Sequence, residues 1–360
     1  MNVILTGGFL GSGKTTAISK ACKHLIDNGK SVAVITNDQG DQQVDTAYIA
    51  SLGITAREVR NGCFCCHYSD LERHIDELKE TVTPDYIFAE AVGSCTDLVA
   101  TIARPLLAFR DNIRLIISVF IDAEFLCALL ENRSSFIEES VRYIYKKQLD
   151  EADMLVINKI DLLRTSQLTN IQKLLKNQYP SKVIVCDNSL GNSEHPWLTA
   201  LEQTQPRKFR PSLDIDYEVY ARGEASLAWL DETIYLQSPL NNAVLVATKV
   251  MGAIFDRIQQ DRLTVGHLKF FTENSFGSSK VSFTSSSTSG NVRIDLAESS
   301  VVKIIINARI QGNVNVIRDL INNTITLLSQ RYQCKICTEK LAAFVPGYPT
   351  PTHRMTDVAL

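Results

Sequence analysis

The sequence predicts an α/β domain with a mostly parallel sheet, followed by an α+β domain with an antiparallel sheet. Short apolar runs such as Val3 to Leu5 recur within residues 1–205, and such runs, with little alternation, are typical of parallel strands that are covered on both faces. Helical stretches separate these runs, as βαβ units require. After residue 213 the strands are closely spaced with short turns, which indicates an antiparallel sheet backed by helices.

Length and composition limit the classes of function. The chain has 360 residues, 45% of them hydrophobic, and a formal net charge of −3. This predicts two domains, or one with an appendage, and it argues against nucleic-acid and membrane partners. The most apolar run, Ile113 to Leu130, contains three charged residues and is typical of a buried strand and helix. The first residues enter a strand directly, so we expect no signal peptide and a cytoplasmic location.

Between the first strand and a helix over Ala17 to Leu25 lies Gly8-Phe9-Leu10-Gly11-Ser12-Gly13-Lys14-Thr15. This stretch matches G-x-x-x-x-G-K-[ST], in which backbone N–H groups and the helix N-terminus bind phosphate. Lys14 is expected to neutralise the β- and γ-phosphates, and the Thr15 hydroxyl to coordinate Mg²⁺. The motif therefore predicts a P-loop NTPase. The alternative interpretation is a glycine-rich turn without a ligand.

Two further strands end in carboxylates. Ser31 to Asn37 leads into a polar loop in which Asp38 is a candidate for holding Mg²⁺ or the attacking water; a plain turn is the alternative. Tyr86 to Ala89 ends at Glu90, and a carboxylate at the tip of a strand near a phosphate loop orients Mg²⁺ and its waters. Gly93 would let the backbone approach the γ-phosphate. A solvated Glu90 is the alternative.

Three cysteines lie close together in Asn61-Gly62-Cys63-Phe64-Cys65-Cys66-His67, before a helix predicted from about Ser69 to Thr81. Thiolates suit Zn²⁺ and similar cations, and a tetrahedral site needs a fourth ligand. His67, a water, a cysteine elsewhere or a partner protein would supply it, and an uninvolved polar residue is the preferred interpretation of His67. Small apolar side chains or a redox pair are the alternatives for the cysteines. With nine cysteines and no secretory signal, a disulfide framework is not expected.

A later strand, Met154 to Ile157, ends in Asn158-Lys159-Ile160-Asp161. The Asp161 carboxylate would accept hydrogen bonds from guanine N1–H and its exocyclic amine, a pair of donors that adenine lacks. Asn158 would bond the ring edge or hold the loop, and the Lys159 stem would lie along the base. The remaining elements predicted in this domain are strands at Arg114 to Ile121 and Val183 to Cys186 and helices near Asp122 to Leu130, Phe136 to Leu149 and Pro196 to Leu201.

These motifs, in this order, resemble the CobW-type GTPases, relatives of the GTPases that mature urease and hydrogenase. The resemblance covers roughly residues 1–205 and includes Gly7 to Thr16, Asn37, Gly40 and Asp45. It implies a GTP-hydrolysing metallochaperone or a metal-dependent regulator of cofactor assembly. GTP or GDP, Mg²⁺ and Zn²⁺ or Co²⁺ are the implied ligands, and a client metalloprotein or cofactor-assembly protein is the implied partner. The resemblance implies that Lys14 and Thr15 bind phosphate and Mg²⁺, that Glu90 lies by the γ-phosphate, that Asn158 and Asp161 read guanine, and that Cys63, Cys65 and Cys66 hold Zn²⁺ or a similar ion. With the motifs themselves, we expect the catalytic residues to be Lys14, Glu90 and Asp38. The expected nucleotide-binding residues are Gly8, Gly11, Ser12, Gly13, Lys14, Thr15, Thr16, Gly93, Asn158, Lys159 and Asp161.

The chain also departs from the family pattern. Ala91 and Val92 stand where members of the family carry hydroxyl residues, and the chain has no histidine-rich tract. With no arginine finger identified, we expect slow basal hydrolysis that a partner or a homodimer contact accelerates. Two alternatives stay open: a redox- or metal-sensing GTP-binding module, and a small-molecule kinase, which the motif Asn158 to Asp161 disfavours.

Residues 206–213 are the predicted linker between a GTPase domain at 1–205 and a C-terminal domain at 214–360. Cys334 and Cys337 are interpreted as half of a metal site, a redox pair or two unrelated thiols. Residues 275–289, rich in Ser and Thr, are expected to form an exposed hairpin and loop, and residues 346–354 an extended or docked tail. The predicted strands are Tyr217 to Tyr220, Thr233 to Leu236, Gly266 to Thr272, Val281 to Thr284, Val292 to Leu296 and Val301 to Ile310; the predicted helices are Asn242 to Asp261 and Val314 to Tyr332.

Overall fold

A computed structural model describes residues 1–40, 44–131, 138–188, 195–207, 209–288 and 290–357. The chain divides into two compact units. Unit 1 comprises Met1–Gln39, Leu52–Gly223 and Tyr348–Leu360, and unit 2 comprises Gly40–Ser51 and Glu224–Gly347. The expected linker at 206–213 thus falls inside unit 1, and Lys208 within it lies outside the described residues.

Unit 1 is built on a seven-stranded parallel sheet with the strand order β3-β2-β4-β1-β5-β6-β7. The central strands β1, β2 and β4 are almost entirely buried, which explains their continuous apolar sequences. Because the strands are parallel, their carboxyl ends meet at one edge, where the polar motifs follow. The strands are β1 (Asn2–Gly7), β2 (Val32–Asn37), β3 (Thr55–Val59), β4 (Tyr86–Glu90), β5 (Arg114–Asp122), β6 (Met154–Asn158) and β7 (Val183–Cys186).

Helices connect these strands, and most of them match the apolar periodicity of the sequence. The helix expected from Phe136 begins at Glu139, and Phe136 itself lies outside the described residues. A π-helical turn at Val99–Ala103 leads into α4. The helices of unit 1 are α1 (Lys14–Asp27), α3 (Tyr68–Thr81), α4 (Arg104–Phe109), α5 (Ala123–Leu130), α6 (Glu139–Glu151), α7 (Thr165–Gln178), α8 (Pro196–Gln203) and most of α9 (Tyr217–Ala225), while α2 (Val44–Ser51) belongs to unit 2.

Unit 2 contains a five-stranded antiparallel sheet with the strand order β10-β9-β11-β8-β12. Two long helices, α10 (Ala243–Gln260) and α11 (Val314–Arg331), pack on the sheet around one apolar core. The predicted α+β architecture of the C-terminal part is therefore confirmed. Its strands are β8 (Leu227–Gln237), β9 (Val265–Asn274), β10 (Gly277–Phe283), β11 (Val301–Gln311) and β12 (Lys335–Phe344).

Two predicted strands are wrong. Residues 217–220 begin the helix α9, because the Asp216 carboxylate accepts the backbone N–H groups of Glu218 and Val219 and so caps the helix. The described part of the chain provides no strand partner for residues 292–296; their alternating apolar side chains pack against the unit 2 core from an extended segment. The alternating apolar pattern therefore predicted correctly that these side chains pack on the core, and it predicted wrongly that the segment pairs in the sheet.

Within unit 2, α2 joins the sheet through charge and apolar contact. Asp45 forms ion pairs with Lys269 at 2.5 Å and Lys280 at 2.7 Å, and Val44 packs with buried apolar residues of β9 and β11. Among the described residues, no helix combines the length and apolar character that a bilayer crossing needs.

Candidate functional site

The phosphate loop follows β1 and has an unusual backbone. Gly8, Gly11 and Gly13 have φ angles of 124°, 76° and 89°, a region that side chains with a Cβ rarely adopt. Lys14 Nζ donates to the Gly8 carbonyl at 2.6 Å and approaches the Phe9 carbonyl at 3.4 Å. The Ser12 hydroxyl is buried and has no hydrogen-bond partner among the described residues. A buried, unsatisfied donor beside a lysine held by carbonyl groups fits a loop built for an anionic ligand.

Glu90 lies directly against the start of α1. The Thr15 hydroxyl donates to Glu90 Oε1 at 2.9 Å, and these residues meet because Thr6 on β1 is in register with Glu90 on β4. Hydroxyl and carboxylate oxygens are the ligands and water-binding groups that Mg²⁺ prefers, so the pair fits this ion.

Gly93 follows Glu90 and packs against the phosphate loop. A Cβ at Gly93 would lie 2.9 Å from the Leu10 backbone nitrogen and 3.0 Å from its Cα, so no other residue fits without displacing the backbone. The segment after β4 and the phosphate loop are thus in direct contact.

The strand-end motif after β6 is tied to the same loop. Asn158 is fully buried, and its side-chain amide donates to the Ser12 carbonyl at 2.8 Å. Lys159 adopts a left-handed backbone with φ 59°, and its ammonium pairs with Asp122 at 2.6 Å. Asp161 follows in an exposed turn, where its carboxylate is accessible to a ligand. Asn158 therefore holds the loop in position, one of its two predicted roles.

At the end of β2, Asp38 and Asn37 have different surroundings. The Asp38 carboxylate accepts the Gln39 backbone N–H at 2.8 Å. The Asn37 amide donates to the carbonyls of Val59 and Gly62, and its oxygen accepts the Phe64 N–H. Asn37 therefore binds the cysteine-containing loop to the sheet edge, a role that the sequence pattern did not reveal.

Cys63, Cys65 and Cys66 form one group, here called the thiol cluster. Their sulfur atoms all lie within 4.8 Å of one another, at 2.7 Å between Cys63 and Cys65 and 3.3 Å between Cys63 and Cys66. Cys63 and Cys65 are buried and Cys66 is half-buried. With Zn–S bonds of about 2.3 Å, sulfurs of a tetrahedral site lie about 3.8 Å apart. The cluster therefore fits a cation after its closest pair spreads by about 1 Å.

Hydrogen bonds and burial raise the pKa values of two thiols of the cluster. Hydrogen bonding with Cys63, and further bonds with Cys66 and Cys95, raise the pKa of Cys65 well above its ordinary value. The contact with Cys63 likewise raises the pKa of Cys66. The free thiols of Cys65 and Cys66 therefore hold their protons, and a bound cation has to displace them.

His67 follows the three cysteines in sequence, and the C-terminal tail contacts the same loop. The His67 imidazole lies 3.6 Å from the Asp70 carboxylate. Within unit 1, the Thr352 backbone N–H donates to the Cys65 carbonyl at 2.8 Å, and its hydroxyl to the Cys66 carbonyl at 3.0 Å. The tail is therefore docked, and Thr352 is a positioning residue that no motif indicates.

The second cysteine pair, Cys334 and Cys337, is not part of the thiol cluster. Cys334 is half-buried and its thiol donates to the Tyr332 carbonyl at 3.5 Å, and Cys337 is exposed on β12. In the described part of the chain, the thiol cluster is the one group of three or more metal-ligating side chains. If Cys334 and Cys337 formed half of a metal site, the described residues would provide no further ligands to complete it.

The parallel sheet, the phosphate loop and the thiol cluster together define a P-loop nucleotide-binding protein that also carries a candidate metal site. The family model described as "CobW/HypB/UreG, nucleotide-binding domain" matches residues 2–186, and the chain belongs to this family. The predicted family and the P-loop α/β fold are thereby confirmed.

Similar proteins are known from several bacteria. The "Zinc chaperone CobW" of Pseudomonas aeruginosa is 25% identical over an alignment of 228 residues that covers 55% of this chain and 59% of that protein. The "Zinc chaperone YeiR" of Escherichia coli K12 is 30% identical over 164 residues, 44% of this chain and 46% of that protein. The chain thus spans about half the length of these relatives. The chain is also similar to HypB from Helicobacter pylori, in its crystal structure in complex with nickel, with 19% identity over 56% of this chain and 83% of that chain and a TM-score of 0.39.

Proposed function

We propose that this chain hydrolyses GTP and couples its nucleotide state to the binding and delivery of a transition metal, Zn²⁺ or Co²⁺, to a client metalloprotein or cofactor-assembly protein. The observation that carries the proposal is the presence, in one unit, of a thiol cluster and a complete phosphate loop. Membership of the family and relatives named as zinc chaperones support it.

Nucleotide binding would use the loop that precedes α1. Its backbone N–H groups and the Ser12 hydroxyl would donate to phosphate oxygens, and Lys14 would exchange its carbonyl partners for the β- and γ-phosphates. Gly8, Gly11 and Gly13 let the loop keep this shape, and Thr16 follows in the first turn of α1. The triphosphate therefore replaces contacts that the loop makes with itself.

The base would be read at the end of β6. Asp161 would accept the two guanine donors, with Asn158 holding the phosphate loop and Lys159 lying along the ring. Because adenine offers neither of these donors, it would leave the Asp161 carboxylate unpaired, and the site would therefore prefer GTP to ATP. This specificity separates GTP hydrolysis from an ATP-dependent kinase reaction.

Thr15 and Glu90 would hold Mg²⁺ and its water shell, and the ion would neutralise charge that develops on the phosphates. Glu90 accepts the Thr15 hydroxyl, so its carboxylate is oriented toward this position. Asp38, at the tip of β2, is the second carboxylate for holding the attacking water. Gly93 would donate its backbone N–H to the γ-phosphate. Hydrolysis would be slow without a partner or homodimer contact, since no arginine is assigned to the phosphates.

GTP turnover by the purified chain, with and without Zn²⁺ or Co²⁺, tests this proposal. We expect turnover that requires Mg²⁺, is lost in Lys14→Ala and responds to Zn²⁺. The response should disappear in Cys65→Ala and persist in the matched control Cys127→Ser, whose cysteine is buried on α5. Absence of turnover with GTP, or equal turnover with ATP, would contradict the proposal.

A second candidate function has support in the close contact of Cys63 and Cys65, whose sulfurs lie 2.7 Å apart. In this case the cluster senses redox state or metal and GTP acts as a conformational ligand without metal delivery. Metal analysis of freshly purified protein beside thiol titration distinguishes the two. Bound metal that passes to an apo-acceptor supports delivery, whereas a metal-free chain that gains a disulfide under mild oxidant supports sensing.

A further inference from the structure

Cys95 lies in the loop that follows β4, two residues after Gly93. Its side chain is 2% exposed, and its backbone N–H donates to the Val92 carbonyl at 3.0 Å. From α6, the Gln148 side-chain amide donates to the Gly93 carbonyl at 3.0 Å and to the Cys95 carbonyl at 2.9 Å. The backbone of this loop is therefore held on both sides of Ser94.

The Cys95 thiol points to the thiol cluster. It is hydrogen-bonded to the Cys65 thiol, so four cysteines share one region of unit 1, in which Cys66 is half-buried and the other three are buried. A tetrahedral cation needs four donors, and the thiol cluster supplies three. His67, the nearest alternative in sequence, is engaged with Asp70.

We propose that Cys95 is the fourth thiolate ligand of the cation bound at the thiol cluster. This inference rests on the proposed function, because the cation is the cargo of that proposal. Cys95 lies outside the set of sulfurs that are mutually within 4.8 Å, so binding draws its side chain toward the ion while Gln148 holds its backbone. Four thiols then lose their protons to water, four sulfur–metal bonds form, and the cation loses its water ligands.

Other contacts of unit 1 suit a site with four thiolates. A divalent cation with four thiolates carries a net charge of −2, and hydrogen-bond donors to sulfur offset this charge. The Thr350 backbone N–H is hydrogen-bonded to the Cys66 sulfur. The tail also joins the two loops, since Thr352 donates to the Cys65 carbonyl and Arg354 pairs with Asp97, two residues after Cys95, at 2.7 Å. The tail therefore holds the proposed fourth ligand beside the other three.

X-ray absorption at the zinc edge tests the proposal on the unmodified chain loaded with one equivalent of Zn²⁺. We expect four sulfur neighbours at about 2.3 Å. In Cys95→Ser the count falls to three sulfurs and one oxygen or nitrogen, and Zn²⁺ affinity, measured by chelator competition, falls at least about tenfold, since loss of even an indirect contact to a ligand costs 10- to 100-fold. His67→Ala and Cys127→Ser are the controls and should keep four sulfurs.

Three sulfurs and one lighter atom in the unmodified chain would overturn the assignment of Cys95 and leave the proposed function standing. The same conclusion follows if Cys95→Ser binds Zn²⁺ as tightly as Cys127→Ser does. Failure of the unmodified chain to bind Zn²⁺ or Co²⁺ would instead refute the metal function itself. Co²⁺ absorption of Cys95→His guards against a folding defect, because a nitrogen at this position should restore tetrahedral binding with a shifted spectrum.

Discussion

Glu151 at the end of α6 should make the stability of unit 1 depend on pH. Its side chain is buried; one carboxylate oxygen accepts the Thr96 hydroxyl at 3.0 Å and the other the Val99 backbone N–H at 3.1 Å. Burial, followed by the nearby charge of Asp97, raises the pKa of Glu151 from 4.5 to about 8. Asp97 itself is hydrogen-bonded to Tyr217 and Arg354.

The direction in which the unfolding free energy changes with pH follows from proton linkage. Between pH 4.5 and about 8 the folded chain keeps the Glu151 proton and the unfolded chain has lost it, so the unfolding free energy falls as pH rises. At about 1.4 kcal/mol per pH unit, the loss across this window is at most about 5 kcal/mol. This is a large fraction of the roughly 5–15 kcal/mol that stabilises a domain. Glu151→Gln stays neutral and should remove the decline.

Urea unfolding from pH 5 to pH 9 measures this effect. A Trp229→Phe background leaves Trp197, which is buried in unit 1, as the single tryptophan reporter. Above pH 8 we expect Glu151→Gln to be more stable than its parent by several kcal/mol, with little difference near pH 5. Glu80→Gln, at an exposed position of α3, is the matched control. Parallel pH profiles for the parent and Glu151→Gln would refute the reasoning.

Three further predictions concern the nucleotide and unit 2. Lys14→Ala should weaken GTP binding by about 10- to 150-fold, because it removes a charge-assisted hydrogen bond of about 1.5–3 kcal/mol. Calorimetry with Mg²⁺ measures the Kd for GTP, and an unchanged Kd would exclude the contact assigned to Lys14. Asp161→Ala should abolish most of the preference for GTP over ATP, measured by competition, and a retained preference would place base recognition elsewhere. Asp231→Ala should lower the unfolding free energy of unit 2 by about 3–5 kcal/mol, because it leaves the fully buried Arg309 guanidinium, now 2.7 Å from Asp231, without its carboxylate. Urea unfolding followed by Trp229 fluorescence measures it, and a loss below about 1 kcal/mol would be inconsistent with a buried ion pair.

The arrangement of the candidate nucleotide site was predictable because parallel strands bring distant polar residues to one edge. Thr15 and Glu90 are separated by 75 positions in sequence. Thr15 comes after β1 and the phosphate loop, Glu90 is the last residue of β4, and these two strands, each identified by its apolar run, are neighbours. The phosphate loop itself is a local pattern, so its backbone could be predicted from its glycines. Strand ends and loop motifs therefore carry enough information to locate the site.

Contacts made by residues outside the motifs could not be predicted in this way. Asp45, which follows the strand β2, is one of the residues that match the family pattern, and its carboxylate pairs with two lysines of unit 2. Thr352 reaches the loop of Cys65 from the far end of the chain. Each position depends on which surface a connecting segment packs against, and neither periodicity nor spacing contains this information.

The loop after β4 contacts both the phosphate loop and the thiol cluster, a connection that no sequence motif indicates. Glu90 contacts Thr15 at one end of the loop, Gly93 packs against the phosphate loop, and Cys95 contacts the thiol cluster at the other end. A γ-phosphate that attracts the Gly93 backbone would have to displace a segment whose carbonyls are held by Gln148. Because only one residue separates Gly93 from Cys95, we expect such a movement to shift the Cys95 sulfur as well. The two proposed ligands, nucleotide and cation, would then share one short backbone segment, and each should alter the affinity for the other by the same factor.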